Sequence, residues 1–345
     1  TVGSTYYSLG LYDQAEPHLR EAHRLEPTPA GLRKLSMNQR ELSRLDESEA
    51  LAREALQESR RQFGVDSLDA ASSLHNLGML LATRSDVRNA EPLIREALEI
   101  RRGHLGADHP QVGETLMVLA LAVATPPIED SGQAMELLLE ARRIYATLGD
   151  RYLFNLSTIA HNLGEAYTRD GSLEKAEASY RESLEIKARL RLDTHPETAV
   201  TTNRLASLYE TMGDFQESES HYRKALAIQR ELLDPNHRSL GTTLNNLGGL
   251  LRKMERYDEA EPLHREAVEI YRNVMGPEHG WVAIALANQA ANLEGAGKYA
   301  ECVQVADECL RISAPFWPDD HPRVTRVTSI RVACLGRGQL QDPMD

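Results

Sequence analysis

Nothing in this chain constrains its fold more than three columns of small residues that recur at a nearly fixed interval. The first column is Gly3, Ser36, Gly78, Ala120, Gly164, Ala206, Gly248, Ala290 and Val332, at steps of 33, 42, 42, 44, 42, 42, 42 and 42. Eight of these nine are Gly, Ala or Ser. The second column is Ala15, Ser48, Ala90, Ala134, Ala176, Ser218, Ala260 and Cys302. The third, seven residues further on, is Ala22, Ala55, Ala97, Ala141, Ser183, Ala225, Ala267 and Cys309. Seven residues is about two helical turns, so the second and third columns share one helix face. Small side chains let two helices pack with axes about 8–10 Å apart. Each period therefore reads as a pair of helices in close contact, repeated along the chain.

Punctuation supports this. Within a pair the turn is polar or helix-breaking, as in "RDGS" at 169–172, "MGDF" at 212–215 and "ERYD" at 255–258. The single 44-residue step has two extra residues in the turn containing Thr125, Pro126 and Pro127, where proline cannot continue a helix. Between pairs stand "LGADHP", "RLDTHP", "LDPNHR", "MGPEHG" and "WPDDHP", which put His109, His195, His237, His279 and His321 in one register. A histidine once per pair is spaced by at least the helix-packing distance, whereas zinc needs ligands about 2 Å from one centre. These histidines are expected to serve the loop or to cap a helix. The prolines that follow three of them suit the first turn of the next helix.

Composition excludes more than it assigns. The 345 residues carry a net charge of −13, which argues against general affinity for nucleic acid or an anionic membrane surface. No apolar run approaches the roughly 20 residues of a membrane span. Three cysteines, Cys302, Cys309 and Cys334, form no disulfide-like framework, so a reducing, cytoplasmic setting is expected. Cys302 and Cys309 fall in the small-residue columns and are expected to be buried packing thiols. There are 33 Arg and 6 Lys, a usage that leans toward a bacterial source. The first residues, "TVGSTYYSLG", lack an initiator Met and a leader and begin inside a period, so the N-terminus is expected to be cut from something longer. No glycine-rich phosphate loop, H-E-x-x-H or G-x-S-x-G occurs, so no catalytic residue, cofactor or metal is expected.

Helical pairs with small residues in this pattern resemble tetratricopeptide repeats (TPR) over nearly the whole chain. The 42-residue period, with "NNLG", "EAEPL" and "REALEI", is similar to the kinesin light chain subtype. The opening "TVGSTYYSLGLYDQAEPHLREA" looks like the start of arrays attached to bacterial serine/threonine protein kinases. The resemblance implies an all-α fold: a right-handed TPR superhelix (α-solenoid) of eight hairpins plus a C-terminal capping helix. It would form one solenoid over residues 1–338, with a frayed tail at 339–345. The last anchor, Val332, would face solvent because no partner helix follows.

It also implies a non-catalytic scaffold whose first helices line a concave groove for a peptide or protein partner. The alternative is the C-terminal regulatory region of a bacterial kinase or other signalling enzyme. Self-association through a first hairpin bared by truncation is a further arrangement this reading allows. Two and three residues before the anchors lie His75, Asn76, His161, Asn162, Asn203, Arg204, Asn245, Asn246 and Asn288, with Arg252 four after one. Asn offers a donor and an acceptor, so a ladder of them can hold an extended peptide backbone. Equally, the same residues can bond neighbouring helices. The register that holds Lys in chaperone-tail receptors has none here, so the resemblance does not extend to them.

Overall fold

The computed structural model describes residues 2–9, 11–126 and 128–341. Among these residues are seventeen α-helices and no strand. They follow as eight pairs: α1 Val2–Ser8 with α2 Tyr12–Leu25, α3 Pro29–Glu41 with α4 Leu45–Phe63, α5 Leu68–Thr83 with α6 Val87–Leu105, and α7 Pro110–Val123 with α8 Ser131–Thr147. Then come α9 Leu153–Asp170 with α10 Leu173–Arg189, α11 Pro196–Met212 with α12 Phe215–Leu232, α13 Arg238–Lys253 with α14 Tyr257–Met275, and α15 Gly280–Gly295 with α16 Tyr299–Ser313. A last helix, α17 Pro322–Gln341, follows alone. The helices gather into two compact units, residues 1–179 and 180–345, whose boundary falls within α10.

The small columns do what their spacing predicts. Every anchor from Gly3 to Ala290 is buried, and so are fifteen of the sixteen residues in the other two columns, Ala22 being half-buried. Glycine anchors face large side chains sixteen residues later. A Cβ on Gly3 would lie 2.9 Å from the Leu19 backbone, one on Gly78 2.5 Å from Ile94 Cγ1, and one on Gly248 2.8 Å from His264 Cε1. The missing Cβ thus makes room for a specific partner. In the first unit Leu74, Leu77, Ile94, Leu116 and Ile144 belong to one continuous core; in the second, Leu244, Leu247 and Leu250 form one cluster and Val282, Leu286 and Ile312 another.

From the α3–α4 turn to the α15–α16 turn, each turn within a pair uses one left-handed residue. Ser43, Ser85, Glu129, Gly171, Gly213, Glu255 and Gly297 all have φ between 52° and 85°. In six of the seven the next amide donates to the carbonyl five residues back at 2.9 Å, as from Asp86 to Leu81 and from Arg256 to Leu251, closing the helix end. In the longer α7–α8 turn, Glu129 takes that role and Asp130 caps α8 by accepting from Gln133 N–H at 2.8 Å. Pro127, which the sequence assigns to this turn, lies outside the described residues.

The five histidines are N-caps. In each, Nδ1 accepts from the backbone N–H two residues on, at 3.2 Å: Gln111, Glu197, Ser239, Trp281 and Arg323. Pro110, Pro196 and Pro322 take the first helical position after them. The entry to α9 has no such histidine and uses a 3₁₀ turn, Asp150–Tyr152, instead.

Two expectations change at the C-terminus. Val332 is 60% exposed, as a cap requires, but helix α17 runs through Gln341, so the frayed tail does not begin at 339; residues 342–345 lie outside the described ones. Cys302 is not a free packing thiol. It is bonded to Cys334, with Cα atoms 6.4 Å apart, tying α17 to α16. Spacing along the chain could not show this, because the two cysteines sit in different registers of different helices. Cys309 is the buried free thiol expected, and burial pushes it up to about 11.

Candidate functional site

The first helices of successive pairs touch one another: α3, α5 and α7 in the first unit, and α11, α13, α15 and α17 in the second. These runs of first helices each form a face, and the residues before the anchors on α5, α11, α13 and α15 lie at the contacts between them.

In the first unit His75 and Asn76 are each 6% exposed. Asn76 donates to Ser36 Oγ at 3.1 Å, so its amide joins α5 to α3. His75 Nε2 stands 3.8 Å from Glu114, beside the buried Arg101. Burial lowers its pKa to about 4, against the pull of Glu114 and aided by the charge of Arg101, so the ring is neutral at pH 7. These two side chains offer almost no surface to a ligand. Burial of this kind is invisible in the repeat, because the same register is half-exposed in later pairs. His161 lies 3.8 Å from Glu165. Asn162 has no hydrogen-bond partner among the described residues and lines a shallow hollow with Leu121, Leu138 and Arg169.

In the second unit the asparagines form a relay. Asn203 donates to Thr243 Oγ1 at 2.6 Å and accepts from Asn246 at 3.4 Å. Asn288 donates to Asn245 Oδ1 at 3.0 Å. The relay thus links α11, α13 and α15, which is the inter-helix role the sequence leaves open. It does not exhaust the side chains: Asn245 Nδ2 and Asn288 Oδ1 have no partner among the described residues. Arg204 is exposed. Arg252 is half-buried, and burial together with the charge of Arg326 lowers its pKa. Its Nε is buried without a partner.

Two further sets of residues escape sequence reasoning. One is a polar column four residues after the third small column. Ser59 bonds Ser73 at 2.8 Å, Arg101 donates to Thr115 at 2.6 Å and Lys187 donates to Thr201 at 2.6 Å. Each joins a second helix to the first helix of the next pair. The signal was available as a Ser or Thr fourteen residues downstream. Burial lowers the pKa of the Lys187 ammonium, and the Glu197 carbonyl, 2.9 Å away, and Thr201 hold it. The other set is arginines. On second helices Arg20, Arg53, Arg95, Arg223 and Arg265 each pair with a glutamate four residues earlier. Arg60–Glu96, Arg102–Glu140, Arg230–Glu266 and Arg272–Glu308 bridge neighbouring pairs. Arg323 and Arg326, on α17, have no ion-pair partner among the described residues, and Arg326 has no acid three or four residues away.

An all-α chain of helical pairs, with small residues at every pair contact and a cap at the end, is a helical-repeat protein. The tetratricopeptide repeat family profile matches residues 28–103, 155–231 and 239–314. The chain belongs to the tetratricopeptide repeat family. No curated protein sequence matches it. Among solved structures, the apo form of RapI is 14% identical, with 99% of this chain and 98% of that chain covered and a TM-score of 0.60. Another, from the Cut9–Hcn1 hetero-tetramer of APC/C, is 14% identical over 94% of this chain and 52% of that chain, with a TM-score of 0.65. A Podosopora anserina putative kinesin light chain with nearly identical TPR-like repeats is 18% identical over 72% and 97%, with a TM-score of 0.40. No helix among the described residues is long and apolar enough to cross a membrane.

Proposed function

We propose that this chain is a non-catalytic scaffold that holds a peptide or an extended protein segment against its first-helix faces. The observation that carries the reading is the asparagine relay of the second unit. It fixes Asn245 and Asn288 by one hydrogen bond and leaves Asn245 Nδ2 and Asn288 Oδ1 open. A donor and an acceptor held in place in this way match the N–H and C=O groups of an extended backbone and read no side chain. Asn162 would do the same in the first unit. His161, Asn203, Arg204, Asn246 and Arg252 flank these positions; His75 and Asn76 are too buried to take part. The role needs no cofactor, nucleic acid or membrane. A regulatory region of a bacterial kinase or other signalling enzyme would use the same face. One structure of similar fold comes from a hetero-tetramer, Cut9–Hcn1 of APC/C. The same reading sets the scaffold in the cytoplasm, as expected from the low cysteine count.

The test is retention of a random-sequence peptide library by the wild-type chain and by an Asn162→Ala, Asn245→Ala, Asn288→Ala triple variant, with circular dichroism as the check on folding. A folded variant that loses most of the retained peptide supports the groove. A folded variant that retains as much as wild type means the asparagines act only between helices, and the reading fails.

A further inference from the structure

Helix α17 is held on one side only. It packs on α16 and α15, and no helix follows it among the described residues. Its anchor, Val332, is exposed, where every earlier anchor is buried. To the core it supplies Val327, Ile330 and Cys334. Cys334 stands two residues after the anchor, a register that is buried in each pair from α3 to α15. In α3 and α15 that register reaches the start of the preceding second helix: Asn38 donates to the Tyr12 carbonyl and Asn292 to the Tyr257 carbonyl, each at 3.1 Å. Ala122 and Ala166 occupy it in α7 and α9. At α17 the same contact is covalent, through the bond from Cys334 to Cys302 near the start of α16.

Both cysteines are fully buried, so the bond is closed to a reductant while α17 is docked. The helix end beyond Cys334 supplies the way in. Leu335, Gly336 and Arg337 are exposed, and Gly336 and Gly338 stand in the last two turns, where glycine weakens a helix. A Cβ on Gly336 would meet nothing within 4 Å, so no close contact demands glycine there. Fraying of these turns bares Cys334 from its C-terminal side before the rest of the helix lifts. The third cysteine lies beneath. Cys309 lines a hollow with Ala283 of α15 and Val327 of α17, and its thiol donates to the Ala283 carbonyl at 3.1 Å. Cys309 cannot replace Cys334 as the partner of Cys302, because seven residues along one helix is about 10 Å, beyond the roughly 7 Å a disulfide spans.

We infer that the Cys302–Cys334 bond is a redox latch on the cap: a dithiol reductant frees α17 from the end of the array, and a disulfide oxidant locks it down again. In opening, a thiolate of the reductant attacks Cys334 Sγ, the sulfur on the fraying helix. The Cys302–Cys334 bond breaks as a mixed disulfide forms, and Cys302 leaves as a thiolate that takes up the attacking thiol's proton. The reductant's second thiol then displaces Cys334, which takes up the second proton. Two electrons pass to the cysteines, the reductant ends as its own disulfide, and no proton is gained or lost overall. Closing is the same sequence reversed. Once open, α17 is held only by side chains such as Val327 and Ile330, and its departure bares the surface around Cys309. The run of first helices α11, α13, α15 and α17 then ends one helix earlier, so the redox state sets how far that face extends. The latch holds whether or not the face binds peptide.

The experiment is amide hydrogen exchange read by mass spectrometry on the full chain, treated with oxidised or with reduced dithiothreitol. A Cys302→Ser, Cys334→Ala variant, which copies Ser218 and Ala166 at the same registers, stands for the open state. Amides of α17 are expected to exchange about 100-fold faster in reduced than in oxidised wild type, and equally fast in the variant under either treatment. Amides of α11 to α14 are expected to keep their protection, and re-oxidation to restore that of α17. Iodoacetamide is expected to alkylate Cys309, followed on its own peptide, only in the open states. Three results overturn the inference: no Cys302–Cys334 linked peptide after oxidation; α17 amides that exchange alike in the two redox states; or protection lost equally from α11 to α17, which would make the bond a staple of the whole unit and not a latch on its cap.

Discussion

Gly248 and Gly249 are neighbours on α13, yet alanine at the two positions should move stability in opposite directions. In a helix interior alanine is favoured over glycine by about 1 kcal/mol. A Cβ on Gly249 would meet nothing within 4 Å, so Gly249→Ala should gain that full amount. A Cβ on Gly248 would lie 2.8 Å from Cε1, 2.9 Å from Nε2 and 3.0 Å from Nδ1 of His264. That ring is 0% exposed and cannot swing away into solvent. Overpacking of this kind costs about 1–3 kcal/mol, so Gly248→Ala should end at a net loss of up to about 2 kcal/mol. The helix-propensity gain is common to both variants, so their difference isolates the packing term. Urea denaturation followed by far-ultraviolet circular dichroism measures it. Removing the ring with His264→Ala should abolish the penalty of Gly248→Ala, which a double-mutant cycle will show. Equal shifts of the same sign in the two single variants would refute the claim that the anchor column exists to admit the facing side chain.

Other expectations follow from the same packing. Burial lowers the pKa of His264 to about 4, and neighbouring Arg252 acts in the same direction. The unfolded chain takes up that proton near pH 6.5, so the folded state should lose stability as pH falls from about 6.5 to 4, by up to roughly 3 kcal/mol. His264→Ile, which copies the residue facing Gly78, should shrink that acid loss in a pH series of urea midpoints, leaving the share due to His75. Glu255 holds a left-handed turn at φ 60° where Gly171, Gly213 and Gly297 stand in other pairs. Glu255→Gly should raise the urea midpoint by the equivalent of about 1 kcal/mol. Loss of the His237 cap in His237→Ala should cost about 1 kcal/mol, and His237→Asn should restore most of it; equal values for the two would remove the capping role.

The sequence by itself determined the units of this protein. Three columns of small residues placed every helix pair, because close helix packing leaves no alternative to a small side chain at the contact. It also placed the turns and the capping histidines, since both are local: a left-handed residue and an acceptor two residues before a free N–H need only nearby chain. What only the tertiary structure decided are the relations between pairs. Asn76 and Asn246 occupy the same register, yet one is buried against Ser36 and the other reaches Asn203 half-exposed. Glycine at Gly248 is legible as a small residue, but its reason is the ring of His264 sixteen residues away. The Cys302–Cys334 bridge, and Arg323 and Arg326 without an ion-pair partner among the described residues, arise where the cap meets the last pair, which happens once. Periodicity reports what every repeat shares. Side chains whose partners differ from pair to pair, and features that occur only at an end, carry no periodic signal.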